Sequence, residues 1–274
     1  MSAVKIALVQ MRSGTDPARN IDDAEAMIRE AAAEGARLVI TPEITNLVQR
    51  DPSALFDALR TPREDPSLVR FSDTAQALGI DVLAGSLALL GPDGRAVNRS
   101  CLFGPDGALK ASYDKIHMFD VNLGAGESYS ESENFAPGDR AVMAEAAGLK
   151  LGLSICYDVR FAYLYRRLAK AGATVMTVPS AFTRPTGRAH WEVLLRARAI
   201  ETGSFILAPA QGGKHEDGRK TWGHSMVIGP WGEIIAQLAH DEPGLLYAEI
   251  DPEDALRARL RIPALKGGRE ITGP

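Results

Sequence analysis

The chain has 274 residues, 45% of them hydrophobic and 24% charged, with a formal net charge of −4. That is the composition of an ordinary globular protein; it excludes a basic nucleic-acid footprint, and no apolar run reaches the roughly 18 residues of a membrane span. Two cysteines, Cys101 and Cys156, give no disulfide framework, and the five histidines show no HxH or HExxH spacing, so no metal is expected.

In chain order, Lys5 to Met11 reads as a short apolar strand, with no cleavage-site pattern that would signal a secretory leader. Asn20 fits the cap of a helix over about 21–34, with Ile21, Ala24, Met27, Ile28 and Ala31 on one face and Gly35 as the stop. Leu38 to Thr41 is a second buried strand, ending in Pro42-Glu43. A looser helix covers about 66–78. Strands follow near 80–88, 97–103 and 108–113, the last two joined by the turn Gly104-Pro105-Asp106-Gly107. Cys101 falls in an apolar strand and reads as core. Residues 114–140 read as irregular and too long for a plain connector, a common trait of functional loops.

Residues 149–156 form a buried strand that stops at Cys156, and 161–170 have helical spacing up to Gly172. A cysteine at such a turn is either a small core hydrophobe or a nucleophile of low pKa beneath converging backbone N–H groups. Further on, Gly213 to Thr221 resembles a phosphate loop with one residue too many before Lys220, and fits a solvated hairpin better.

The order of elements repeats. Lys5-Ile6-Ala7-Leu8 echoes Lys150-Leu151-Gly152-Leu153, and Gly35 to Glu43 echoes Gly172 to Ser180. Gly79 to Ala84 echoes Gly203 to Ala208, and Cys101 to Gly107 echoes Met226 to Gly232. The expectation is an α/β fold of two pseudo-symmetric halves, each a sheet with helices on one face. Their bare faces would pack as a four-layer α-β-β-α sandwich. No polar linker divides the halves, so residues 1–274 are expected to form one domain.

Thr41-Pro42-Glu43, Tyr113-Asp114-Lys115-Ile116-His117-Met118-Phe119 and Ile155-Cys156-Tyr157-Asp158-Val159-Arg160-Phe161 resemble the three signature segments of the nitrilase, or carbon–nitrogen hydrolase, superfamily. Pro179 to Thr183, Thr186 to Glu192 and Trp222 to Met226 resemble its Nit-type amidases, and Val193 to Glu201 is most similar to the deaminated glutathione amidases. The short tail after Pro263, residues 267–274, departs from the longer segment usual there. The resemblance implies a cofactor-free amidase that cleaves a small linear amide through a cysteine thioester. Deaminated glutathione is the implied substrate. The alternatives are an ω-amidase acting on keto-acid amides, a nitrilase, and a binding-only relative. It also implies a homodimer or higher homo-oligomer; a free reactive thiol suits a reducing cytoplasm. In such an enzyme Cys156 is the nucleophile and Glu43 the proton carrier. Lys115 and the N–H of Tyr157 would hold the oxyanion, and Glu131 is the second acid, with Glu127 and Glu133 as near alternatives.

By the repeat, Ser180 occupies in the second half the place of Glu43, and is expected at the pocket wall. A substrate carboxylate would need a cationic partner. Phe182 to Arg188 contains proline and glycine and reads as a loop ahead of a helix starting near His190. Thr183, Arg184 and Arg188 are its candidate binding residues. Arg160 competes by proximity, but its place after Cys156-Tyr157-Asp158 suggests a structural ion pair beneath the turn.

Overall fold

In a computed structural model of the chain, the described residues are 3–124, 127–269 and 271–273. Glu270 and Pro274, part of the short tail, lie outside them. The first half runs β1 (Val4–Gln10), α1 (Pro17–Ala33), β2 (Leu38–Ile40), α2 (Pro52–Ala58), α3 (Pro66–Leu78), β3 (Asp81–Leu90), β4 (Ala96–Phe103) and β5 (Leu109–Asp114). A hairpin of β6 (Asp120–Gly124) and β7 (Glu127–Ser130) follows, then β8 (Met143–Ala146). The second half runs β9 (Leu149–Leu153), α4 (Ala162–Lys170), β10 (Val175–Thr177), α5 (Arg184–Thr202) and β11 (Phe205–Ala208). It continues with a hairpin of β12 (Gly212–Lys214) and β13 (Lys220–Trp222), then β14 (Met226–Ile228) and β15 (Ile234–Gln237). β16 (Gly244–Ile250) and α6 (Pro252–Arg261) close the chain.

Four helices open on the dipeptide Asp-Pro. Asp16, Asp51, Asp65 and Asp251 each accept a backbone N–H from the first turn through the side chain, and the proline behind each needs no N–H partner. This corrects the sequence reading of α1: Asp16 is the cap, four residues before Asn20. The Asn20 side chain instead accepts from Gly14 N–H at 2.7 Å and donates to the carbonyls of Gly14 and Asn46.

The repeat is visible in the sheets. One has the order β16-β1-β2-β3-β4-β5 and the other β8-β9-β10-β11-β14-β15. Each holds three parallel strands, β1-β2-β3 and β9-β10-β11, followed by two antiparallel ones. Each also gains an antiparallel neighbour beside its first strand. Alternation within β1 sorts the layers. Ile6 and Leu8 join Leu38, Ile40 and Leu83 in a core shared with Leu151, Leu153 and Leu207 of the other sheet. Ala7 and Val9 face Ile28 and Ala31 of α1, within the cluster that holds Phe71 of α3. Leu164 of α4 and Trp191 and Leu195 of α5 pack into the shared cluster from the second sheet's side. The result is the expected α-β-β-α sandwich. Among the described residues no helix is long and apolar enough to cross a membrane.

The chain just past β2, at Thr41, and the chain just past β10, at Pro179, meet between the two sheets. Gly85 in β3 marks the closeness of approach. A Cβ there would stand 1.9 Å from the Thr41 carbonyl oxygen and 2.6 Å from Pro179 Cβ. Only glycine lets the strand pass this seam.

Candidate active site

Glu43 follows the end of β2 and is almost fully buried. Its Oε1 accepts from Lys115 Nζ at 2.9 Å and Asn98 Nδ2 at 3.0 Å, and its Oε2 from the Ala181 N–H at 2.7 Å. Lys115, just past β5, also donates to both oxygens of Glu131, at 2.9 and 2.8 Å. Glu131 begins a 3₁₀ turn (Glu131–Glu133) after the β6–β7 hairpin, and its Oε2 accepts the Phe119 N–H at 2.7 Å. Residues 114–140, read from sequence as irregular, thus contain a hairpin whose exit presents the second acid. Glu127 is occupied by the Tyr129 hydroxyl at 2.9 Å, and Glu133 is exposed at the rim. Burial works against the Lys115 ammonium, but Glu131 and Glu43 outweigh it and hold its pKa well above the ordinary lysine value.

Cys156 starts a 3₁₀ turn (Cys156–Arg160) with φ of +48°, a left-handed conformation that costs a non-glycine residue about 1–2 kcal/mol. The turn is fixed from both sides. The Cys156 N–H donates to Pro179 O at 2.9 Å, and the Asp158 N–H to Ile155 O at 3.0 Å. Tyr157, between them, has an N–H bonded to no described group. The fully buried Asp158 carboxylate accepts from Tyr113 Oη at 2.6 Å, Ile155 N–H at 2.9 Å and His117 N–H at 3.1 Å. Those donors flank Lys115 on one side and Cys156 on the other, so one carboxylate sets the lysine's segment against the thiol's turn. Among the described residues Arg160 makes no ion pair, contrary to the sequence expectation of one beneath the turn, and Asp158 meets His117 Nδ1 at 2.6 Å. The Arg160 guanidinium lies over the rings of Tyr157 and Phe182, 5.7 and 5.6 Å from their centroids.

The Cys156 thiol is raised well above the ordinary cysteine pKa, first by burial and then by the Glu43 carboxylate. Lys115 and the Ala181 N–H pull the other way and do not prevail. Lys115 already serves two carboxylates, so a thiolate would add a second uncompensated negative charge. The expected low pKa is therefore corrected: the resting group is a neutral thiol beside a carboxylate. Cys101 is also raised, to about 12 by burial, and sits in the core as expected.

A cavity of about 350 Å³ opens over these groups, lined by Glu43, Asn98, Lys115, Glu131 and Cys156 at its floor. Phe119, Tyr129, Tyr157, Phe182 and Thr183 form walls, and Arg50 and Arg219 also line it. A neutral thiol, a carboxylate able to take its proton, an ammonium and a spare N–H are the parts needed for acyl transfer.

Of the sequence candidates, Glu43, Lys115, Glu131, Cys156, Tyr157 and Thr183 meet at this cavity; Ser180, Arg184 and Arg188 do not. Ser180 is fully buried, its Oγ donating to Val178 O at 3.0 Å and its N–H to Pro209 O at 3.0 Å. Successive residues of extended chain face opposite ways, so it is Ala181 that turns its N–H to Glu43. The segment 184–188 is the first turn of α5, not a loop. Thr183 caps it and Pro185 fits its start. Gly187 is buried because a Cβ there would lie 2.3 Å from Trp222 Cγ. Arg184 and Arg188, spaced i, i+4, share the opposite, exposed face. Arg184 pairs with Asp241 at 2.5 Å.

Sequence reasoning missed Asn98, Ala181, Arg50 and Arg219. Asn98 had a signal, being a polar residue in an otherwise buried strand. Arg219 lies in the hairpin read as solvated, where His215 is in fact buried, bonded to Ser13 O at 2.8 Å and Thr221 Oγ1 at 2.7 Å.

A family model described as carbon-nitrogen hydrolase matches residues 5–259. A deaminated glutathione amidase of Synechocystis is 41% identical over 268 residues, covering 95% of this chain and 96% of that one. The omega-amidase NIT2 of Danio rerio is 36% identical over 272 residues, covering 98% and 96%. The solved structure of the C. elegans NitFhit protein superposes with a TM-score of 0.90 at 33% identity, over 98% of this chain and 66% of that one.

Proposed function

The chain belongs to the carbon–nitrogen hydrolase family and is a hydrolase of carbon–nitrogen bonds other than peptide bonds; from that premise we propose a cofactor-free amidase with Cys156 as nucleophile, Glu43 as proton carrier, and Lys115 with the Tyr157 N–H as oxyanion donors. The observation that carries this reading is the buried Glu43–Lys115–Glu131 group beside a neutral thiol. Cys156 Sγ attacks the amide carbonyl while its proton passes to Glu43. The carbonyl oxygen becomes an oxyanion held by the Lys115 ammonium and the Tyr157 N–H. Collapse breaks the C–N bond, and Glu43 returns the proton to the departing amine or ammonia. Water then attacks the thioester, giving its proton to Glu43. The second tetrahedral intermediate expels the sulfur, which recovers the proton, and the product leaves as a carboxylate. Glu131 holds Lys115 in place throughout, and Asn98 steadies both acids.

We assign deaminated glutathione as substrate, on the support of the 41% identical relative. The 36% identical relative favours a second reading, the ω-amide of a keto acid such as 2-oxoglutaramate. Two free cysteines suit a reducing compartment, the cytoplasm. Exposed Tyr163, Val193 and Ile200 suit a homodimer. The shared core between the sheets supports a single domain. The test is release of amine or ammonia from deaminated glutathione, 2-oxoglutaramate, simple amides and a nitrile, with the thioester sought by intact-protein mass. Turnover of none, with no adduct at Cys156, would favour a protein that only binds its metabolite.

A further inference from the structure

The cavity is polarised. At its floor two carboxylates, Glu43 and Glu131, face one ammonium and a neutral thiol, leaving an excess of negative charge. Away from the floor it is bordered by two cations from different halves of the chain. Arg50 follows β2, and Arg219 leads into β13. Both act on the Tyr129 hydroxyl. Burial and Glu127 push that group to about 12, against the pull of Arg219 and Arg50. Both arginines line the same cavity as Tyr129.

Neither arginine donates a side-chain hydrogen bond to a carboxylate among the described residues. Arg50 is exposed and makes no ion pair among the described residues. Arg219 is mostly covered, yet its nearest carboxylate oxygen, Asp217 Oδ2, stands 3.8 Å from Nε, beyond hydrogen-bond reach. That Nε is buried without a hydrogen-bond partner, and so is the Asp217 Oδ2 that faces it. By contrast Arg12, Arg70, Arg99, Arg184 and Arg257 each hold a carboxylate at 3.0 Å or closer. A buried donor without an acceptor is costly and asks for a partner. A guanidinium fork matches a carboxylate best. Of the neighbouring carboxylates, Glu133 at the rim is solvated and Glu127 accepts the Tyr129 hydroxyl at 2.9 Å.

We propose that Arg50 and Arg219 form a two-sided clamp for a carboxylate at the end of the substrate away from the scissile bond. The substrate class is then a small amide with a distal carboxylate, its reacting carbon at Cys156 and its charge between the arginines. The inference rests on the reading of Cys156 as nucleophile, because that fixes which end of the cavity is reactive. It assigns to Arg50 and Arg219 the role that sequence alone gave to Arg184 and Arg188.

The test compares glutaramate with pentanamide, which replaces the distal carboxylate by a methyl group. In Arg50→Met and Arg219→Met the ratio of kcat/KM for glutaramate to that for pentanamide should fall roughly ten- to a hundredfold, the worth of a charged hydrogen bond. The loss should lie in KM, and Arg219→Lys should recover part of it. An unchanged ratio in both variants overturns the clamp. If the wild type hydrolyses neither amide, the proposed function fails separately. The clamp is then read from protection of Cys156 against iodoacetamide by glutarate. Protection lost in the Met variants supports it, and equal protection overturns it.

Discussion

Replacing Glu43 by Gln changes almost no volume and tests the proton carrier directly. The carboxylate accepts three hydrogen bonds, two on Oε1 from Lys115 and Asn98 and one on Oε2 from the Ala181 N–H. A glutamine has one acceptor oxygen. Whichever way the amide turns, its NH₂ faces a buried donor, either the Lys115–Asn98 pair or the Ala181 N–H. One such unpaired contact costs about 2 kcal/mol, or roughly 4–8 °C in Tm for a chain of this size. The chemical loss should be larger. With no base for the thiol proton, acylation should slow by roughly 10²- to 10⁴-fold at neutral pH. The residual rate should climb with pH, since only the rare thiolate can then attack. Rapid mixing with substrate and intact-protein mass spectrometry measures the thioester directly. A Glu43→Gln variant that acylates at the wild-type rate, or shows no rise with pH, would refute Glu43 as the base.

Cys156→Ala should abolish turnover while leaving the unfolding curve close to wild type, and Cys156→Ser should be nearly dead. More than a few per cent of activity in either would remove Cys156 as nucleophile. Cys156 and Lys115 both have folded pKa values above their ordinary values of 9.0 and 10.5. Their stabilisation is therefore complete below about pH 9 and lost as pH rises through the folded values. Tm should fall on the alkaline side more steeply in wild type than in Cys156→Ala; identical slopes would contradict the raised thiol. Asp158→Asn should leave an amide NH₂ facing a donor beneath the turn, costing about 1–3 kcal/mol. It should lower kcat more than it raises KM, because it loosens Cys156 against Lys115. A change confined to Tm would reduce Asp158 to a purely structural residue.

The sandwich and four of the five floor residues were legible because each is announced locally. Glu43 and Cys156 stand where buried strands stop, and Lys115 and Glu131 sit in segments that match the family's order. The pairing of strands followed from short apolar echoes, which the sheets reproduce strand for strand. The cavity walls were not legible in the same way. Arg50 and Arg219 are some 170 positions apart, and nothing near either one signals that both border a single cavity. Proline and glycine misled at 184–188. Pro185 serves a helix start, and Gly187 makes room for Trp222, a neighbour far along the chain. The thiol's pKa was misjudged for a related reason. A strand-to-helix turn favours a thiolate locally, but the neighbouring carboxylate arrives from the other half of the chain.

The seam between the two strand ends bears on how the protein is made. The acid lies on the first half and the sulfur on the second, and Gly85 fixes the clearance between them. A ribosome has delivered Glu43, Lys115 and Glu131 well before Cys156 emerges. Until the second sheet docks, the sulfur has no proton acceptor and the acids have no nucleophile to serve. If Cys156 is the proposed nucleophile, a nascent or half-unfolded chain carries it as an inert thiol and not as a promiscuous acyl acceptor. On the proposed mechanism, docking of the sheets is what brings acid and sulfur together, and the core they share ties that step to folding.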